Sequence, residues 1–341
     1  MADNNAVKHH RVPKTYMKTW CFSRNSVWTY DKFKRKSEIR NIEKLFRTNY
    51  YHSIRAGFLY HTEDSLEKIF GFLKAYRIVY EEKELFSLEE LNNHYCDFKK
   101  WEIYYPNGEK VNSKDKNVIK KQLESTKVNT IEEQWNIQLE NDWPKIVEVL
   151  QGILYKLENG DSSYLTNIDA DTILKYFVMF NWRGMVGNSS LNEVCHWIFH
   201  DVFEDSYIEI PENDRINSYD SCVADEMKHA FLLKAYDDFL NGKGVMYNTY
   251  QQYKEKFSFI FLLTKNKTFN TSDNPCFDFI SNEGYRVPFF VVSPTIAIEL
   301  ARKDPIEPLM YKVQNLEDDE VNKYNEIIFE NGNVILSCSP F

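Results

Sequence analysis

Apolar positions recur at helical spacing in some stretches of the chain and run together in others. Leu66, Ile69, Phe70, Leu73 and Tyr76 share one face of a helix predicted to start after Thr62, with Glu63 and Asp64 in its first turn. Ser87 with Glu90, Thr130 with Glu133 and Ser190 with Glu193 each have capping-box spacing and predict further helix starts. From about 116 to 241 the pattern is mainly helical. One helix near 170–186 carries Ile173, Leu174, Phe177 and Phe180, and another near 220–241 closes at Gly242.

Strand-like runs lie on either side of this middle. Residues 26–31 hold Val27, Trp28, Thr29 and Tyr30 in succession, followed by a basic turn from Lys32 to Lys36. Residues 101–112 predict a hairpin turning at Pro106-Asn107-Gly108. Towards the far end, Phe257–Leu263 and Phe289–Val292 are strand-like, a helix is predicted near 317–330, and a last strand near 333–338. The expected class is α+β: a helical middle, with a mixed or antiparallel sheet built from N-terminal and C-terminal strands.

Composition narrows the class. The chain has 341 residues, 43% of them hydrophobic, enough for a sizeable core. No run of about 18 apolar residues occurs, so no membrane span is expected. The opening residues lack an apolar leader, so a cytoplasmic protein is expected. Cys21, Cys96, Cys195, Cys222, Cys276 and Cys338 are scattered without a CxxC pair and read as reduced thiols. There is no P-loop, no Gly-x-Gly-x-x-Gly and no Gly-x-Ser-x-Gly, which disfavours NTPases, nicotinamide enzymes and α/β-hydrolases.

Charge is uneven. Residues 1–60 carry 13 Lys+Arg and 4 Asp+Glu, a net of +9, on a chain whose total is -9. Tyr16, Trp20, Phe22, Trp28, Tyr30, Phe33, Tyr50 and Tyr51 interleave with these cations. Cations among aromatics suit a nucleic-acid backbone with stacked bases. The alternatives are docking on the acidic remainder of its own chain or on a protein partner.

Four constellations could carry chemistry. His9 and His10 stand beside Arg11-Val12-Pro13, in the manner of a histidine that activates water in a metal-dependent nuclease. Ser272-Asp273-Asn274-Pro275 follows an apolar strand and offers a carboxylate and an amide, or simply an Asx turn. His196 and His200 have i, i+4 spacing but lack the glutamate of a zinc protease. Glu226-x-x-His229 has the form found in di-iron bundles, without the second copy those need.

The run His9-His10-Arg11-Val12-Pro13-Lys14-Thr15-Tyr16-Met17-Lys18-Thr19-Trp20 resembles the N-terminal signature of the DUF4238 family, His-His-x-Val-Pro-x-x-Tyr-Leu-x-x-Phe. The similarity continues at Val27–Asp31, at Glu63–Glu67, at Arg183, at Thr271-Ser272-Asp273-Asn274-Pro275, at Val292-Ser293-Pro294 and at Asn325. It leaves roughly 84–165 uncovered, so a single domain over 1–341 with a helical insertion there is expected. The resemblance implies a bacterial protein, with members often found among mobile or defence-related genes.

If the fold brings the two motifs together, His9, His10, Asp273 and Asn274 become catalytic candidates. His10 and Asp273 would then hold a divalent ion, Mg or Mn, and Arg11, Lys14, Tyr16 and Arg183 would contact substrate. The resulting expectation is a metal-dependent nuclease or phosphodiesterase in phage defence. The alternative is a non-catalytic binding or sensor module in which both motifs are folding devices.

Overall fold

A computed structural model of the chain describes residues 8–158, 167–184, 193, 197, 208–212, 215, 221–303 and 311–341. Ser190, Cys195, His196 and His200 lie outside the described residues. The chain divides into two compact units, each assembled from separate segments. One comprises Met1–His9, Thr48–Gln134 and Cys195–Asp237, and the other His10–Arg47, Trp135–Val194 and Asp238–Phe341.

The second unit holds most of the sheet. Five strands lie in the order Cys276–Ile280, Arg286–Ser293, Ile296–Arg302, Phe257–Thr264, Lys312–Leu316. All neighbours are antiparallel except the last pair. A four-stranded sheet runs Lys36–Asn41, Ser26–Asp31, Val334–Ser337, Thr271–Ser272. It joins N-terminal to C-terminal strands, as the α+β reading expects. One of its two interior strands, Val334–Ser337, pairs with Ser26–Asp31 on one side and with the Thr271–Ser272 segment on the other.

Aromatic rings fill the core of this unit. The Tyr16 ring lies 4.7 Å from both Trp20 and Phe180 and 5.6 Å from Trp143, and Phe290 sits 5.1 Å from Phe180. These rings come from the short helix Lys14–Met17, the helical turn Lys18–Trp20, the helices Trp143–Glu158 and Asn167–Arg183, and the strand Arg286–Ser293. Burying several large aromatics in one cluster stabilises the fold more than any single hydrogen bond in it. The helix ending at Leu240 is followed by Gly242 at φ +70°, whose N–H reaches the Phe239 carbonyl at 3.0 Å. A left-handed residue there favours glycine.

The first unit has a small antiparallel sheet, Lys83–Glu84, Arg77–Tyr80, Glu102–Tyr104. Thr62 and Ser87 both close capping boxes, with Ser65 and Glu90 as their partners. The chain turns at Gly108, φ +85°, where the 101–112 hairpin is expected. The stretch 84–165 includes the strand Glu102–Tyr104 as well as helices, and it is divided between the two units at Gln134.

One helix start differs from expectation. The Glu133 N–H reaches the Asn129 carbonyl at 3.0 Å, so the helix Thr130–Gln138 already includes Thr130, and Asn129 precedes its first turn. Among the described residues, no helix is long and apolar enough to cross a membrane. Cys21, Cys96, Cys222, Cys276 and Cys338 are free thiols.

Candidate metal centre

His9 sits in the middle of the strand Lys8–His10 and is fully buried, while Lys8 is exposed and His10 half-buried. Successive side chains of a strand point to opposite faces, so the adjacent histidines face different ways. The chain also leaves the first unit between them.

His9 meets two residues far away in sequence. Its Nδ1 accepts the His52 backbone N–H at 2.8 Å, and the two rings stack with centroids 5.4 Å apart. His52 Nδ1 is hydrogen-bonded to the Glu132 carboxylate. His9, His52 and Glu132 are all buried, and each offers a ligand atom within 4.8 Å of the others. The cluster could hold a metal ion. Among the described residues it is the only group of three or more such side chains.

Local structure explains the placement. Ile54 and Val128 exchange two backbone hydrogen bonds of 2.9 Å, which bring the 52–54 segment beside the start of the helix Thr130–Gln138. Ser53 Oγ donates to the Asn129 side chain and fastens the same junction. Glu132 then falls in the first helical turn, where amide dipoles favour a carboxylate. On this helix Glu132 is buried and Glu133 exposed.

Each ring nitrogen has a definite role. Accepting at Nδ1 leaves the neutral His9 ring with its proton on Nε2. The carboxylate of Glu132 keeps the proton of His52 on Nδ1 and directs the Nε2 lone pair away from it. Tyr236 packs edge-on against the His52 ring at 5.7 Å. His229 donates to the Tyr51 carbonyl at 2.6 Å, and Glu226 pairs with Arg55 at 3.4 Å, so the Glu226-x-x-His229 motif serves contacts outside the cluster.

The two sequence motifs do meet, within the second unit. The Tyr16 hydroxyl donates to the Val291 carbonyl at 2.7 Å and accepts from the Thr271 hydroxyl at 2.6 Å. Trp20 donates to the Phe269 carbonyl at 3.0 Å. Asp273 Oδ1 accepts the N–H groups of Asn333 at 2.8 Å and Val334 at 3.3 Å. Burial pushes the Asp273 carboxyl up, against the pull of those amides and of the Arg11 charge. Asn274 is fully buried and donates to the Asn331 carbonyl at 3.2 Å.

Arg183, also buried, bonds the Glu140 carboxylate and the His10 carbonyl. Lys14 is exposed and pairs with Glu43 at 3.1 Å. Neither His10 nor Asp273, the expected metal pair, belongs to the three-residue cluster.

Asn325 clamps a loop through both ends of its amide, accepting from the Asn270 N–H at 2.8 Å and donating to the Thr268 carbonyl at 2.9 Å. Thus the tyrosine of the first motif, the Thr-Ser-Asp-Asn-Pro run and the late asparagine secure one connected region. A family model for proteins of unknown function matches residues 8–336. The chain belongs to the DUF4238 family. No curated protein and no solved structure gives a significant match. The DUF4238 match takes in every motif residue described above, together with His52 and Glu132. Sequence reasoning missed those two: His52 lies 43 residues from His9, and Glu132 a further 80, with no spacing rule linking them. The one signal pointing to Glu132 was the helix start, displaced by one residue.

Proposed function

We propose that this DUF4238 protein is a metal-dependent phosphodiesterase or nuclease whose ion is held by His9, His52 and Glu132. The observation that carries the reading is the convergence of three ligand atoms within 4.8 Å in a buried setting. Two imidazoles and a carboxylate form the donor set of several catalytic zinc and iron sites. Of the two ions anticipated, Mn suits nitrogen donors better than Mg, which takes oxygen ligands. Such an ion supplies a water nucleophile at neutral pH.

The chain's own residues do the rest. Glu132 fixes the His52 tautomer, and the His52 amide orients His9. Ion uptake competes with that amide for the His9 Nδ1 lone pair, and Glu132 ligates beside His52 only if His52 binds through Nδ1, so loading would move the His52 proton to Nε2 and replace both hydrogen bonds. The basic, aromatic-rich first sixty residues support a nucleic-acid substrate. In the antiphage setting anticipated from the family resemblance, that substrate is invading DNA or RNA.

A second reading, a non-catalytic binding or sensor module for nucleic acid or a protein partner, is favoured by a different observation. The polar groups of Tyr16, Asp273 and Arg183 are engaged in internal hydrogen bonds, as in folding devices.

Cleavage of single- and double-stranded DNA and RNA with added Mn, by the wild type and by Glu132→Gln, tests the first reading. It expects Mn-dependent cleavage that falls about 100-fold in the variant, with circular dichroism unchanged. Mn binding without cleavage supports the module. Cleavage that survives both Glu132→Gln and His52→Ala removes the cluster from the chemistry.

A further inference from the structure

We propose that the cleft between the five-stranded sheet and the helix Asp318–Asn331 is a nucleotide-binding site, with Glu299 recognising a guanine base. This goes beyond the metal centre and stands without it. The cleft encloses about 830 Å³, within the range of small-molecule sites. Glu320, Lys323, Tyr324 and Ile327, spaced as one helix face, form one wall. Phe279, Val287, Glu299 and Ala301 line the sheet side.

Glu299 is held in place. Tyr324 donates to its Oε1 at 2.6 Å. The Tyr324 ring is itself stacked on Phe289, with centroids 5.4 Å apart and planes 8° from parallel. Phe279 meets Tyr324 edge-on at 6.2 Å. No described residue takes the second carboxylate oxygen of Glu299. A fixed carboxylate beside aromatic rings thus faces a cavity.

An ionised carboxylate only accepts hydrogen bonds. Guanine offers two neighbouring N–H donors along one edge and satisfies both oxygens. Adenine and cytosine place an acceptor beside their donor, which meets a carboxylate unfavourably. Burial raises the pKa of Glu299, a cost that paired donors offset. Of these rings, Phe279 and Tyr324 line the cleft and are placed to meet the base.

The rim supplies the phosphate contacts. Arg302 and Lys323 both line the cleft and both are exposed. Among the described residues no carboxylate pairs with either, whereas Arg286 is engaged by Asp278 at 2.6 Å. Arginine and lysine at the mouth of a pocket suit a phosphate group.

Calorimetric titration of the full chain with GMP, AMP, CMP and UMP tests the site. EDTA is present throughout, so the metal centre plays no part. GMP is expected to bind at least about tenfold more tightly than the others. Glu299→Gln, which keeps the shape and the Tyr324 bond, removes that preference. The double variant Arg302→Ala, Lys323→Ala weakens GMP about tenfold and leaves guanosine unchanged. Thermal melting checks that each variant folds, and the rim variants decide the matter if Glu299→Gln does not. No GMP binding at about 1 mM, equal binding of all four nucleotides, or GMP binding indifferent to the folded variants overturns the proposal.

Discussion

The Thr271–Pro275 loop and the His9–His52–Glu132 cluster are both buried and polar, yet their partners differ in kind. In the loop, Asp273 and Asn274 bond main-chain groups of residues 331–334, and Ser272 bonds the backbone of Asn274. In the cluster, three side chains that ionise or ligate are turned on one another. Side chain to backbone bonds fix where the chain goes. A knot of titratable groups in low dielectric is costly for the fold and is the usual setting of chemistry. The Thr-Ser-Asp-Asn-Pro motif therefore does the work of a clasp, while the group that could hold a metal ion joins His9 to two residues that no motif marks.

The contrast can be broken by substitution. The largest effect on stability is expected at Arg183, where alanine leaves Glu140 buried without its counter-charge. The loss should be about 3–5 kcal/mol in denaturant unfolding, with Glu140→Gln in the same background recovering part of it. Saturating Mn comes next. At 100 times its dissociation constant it should add about 2.7 kcal/mol to the wild type and nothing to a His52→Ala, Glu132→Ala chain, read as a shift in melting temperature. Equal shifts in both would sever the ion from the cluster.

Asp273→Ala should cost about 1–3 kcal/mol by stranding two amides, and Asp273→Asn, which still accepts from both, clearly less. The pH dependence has a definite sign. Burial raises the folded-state pKa of Asp273 above its ordinary 3.8. Its proton-linked stability is thus fully present below that ordinary value and is lost as pH rises through the folded value. Wild type should lose stability relative to Asp273→Asn over that window, and a relative gain would show that the clasp amides outweigh burial. Tyr16→Phe should cost least, about 0.5–1.5 kcal/mol, because the ring still packs and only its hydroxyl bonds go.

Much of the frame was legible. Thr62 and Ser87 announced helix starts because a hydroxyl with a partner three residues on satisfies free amides locally. Phe257–Thr264 was readable because strand-forming side chains are continuous there. The strand Lys36–Asn41 was not, since an edge strand carries charges and offers no apolar signature. The helix Gly244–Lys256 buries only Met246 and Tyr250 and shows a weak apolar face. The His9–His52–Glu132 cluster was hidden for a different reason. It depends on the Ile54–Val128 pairing and on which face of the helix Thr130–Gln138 is buried, and both are decided by packing rather than by local pattern.

The position of Val334–Ser337 inside its sheet has a consequence for biosynthesis. Ser26–Asp31 emerges early from the ribosome, but the strand that pairs with it follows roughly 300 residues later. At about 5–20 residues per second, that edge waits some 15 to 60 s for its partner. Over that interval the N-terminal hairpin lacks the strand that joins it to Thr271–Ser272, a segment that is itself made only about 60 residues before that strand. Nascent chains of this protein are accordingly candidates for chaperone protection until translation has passed residue 337.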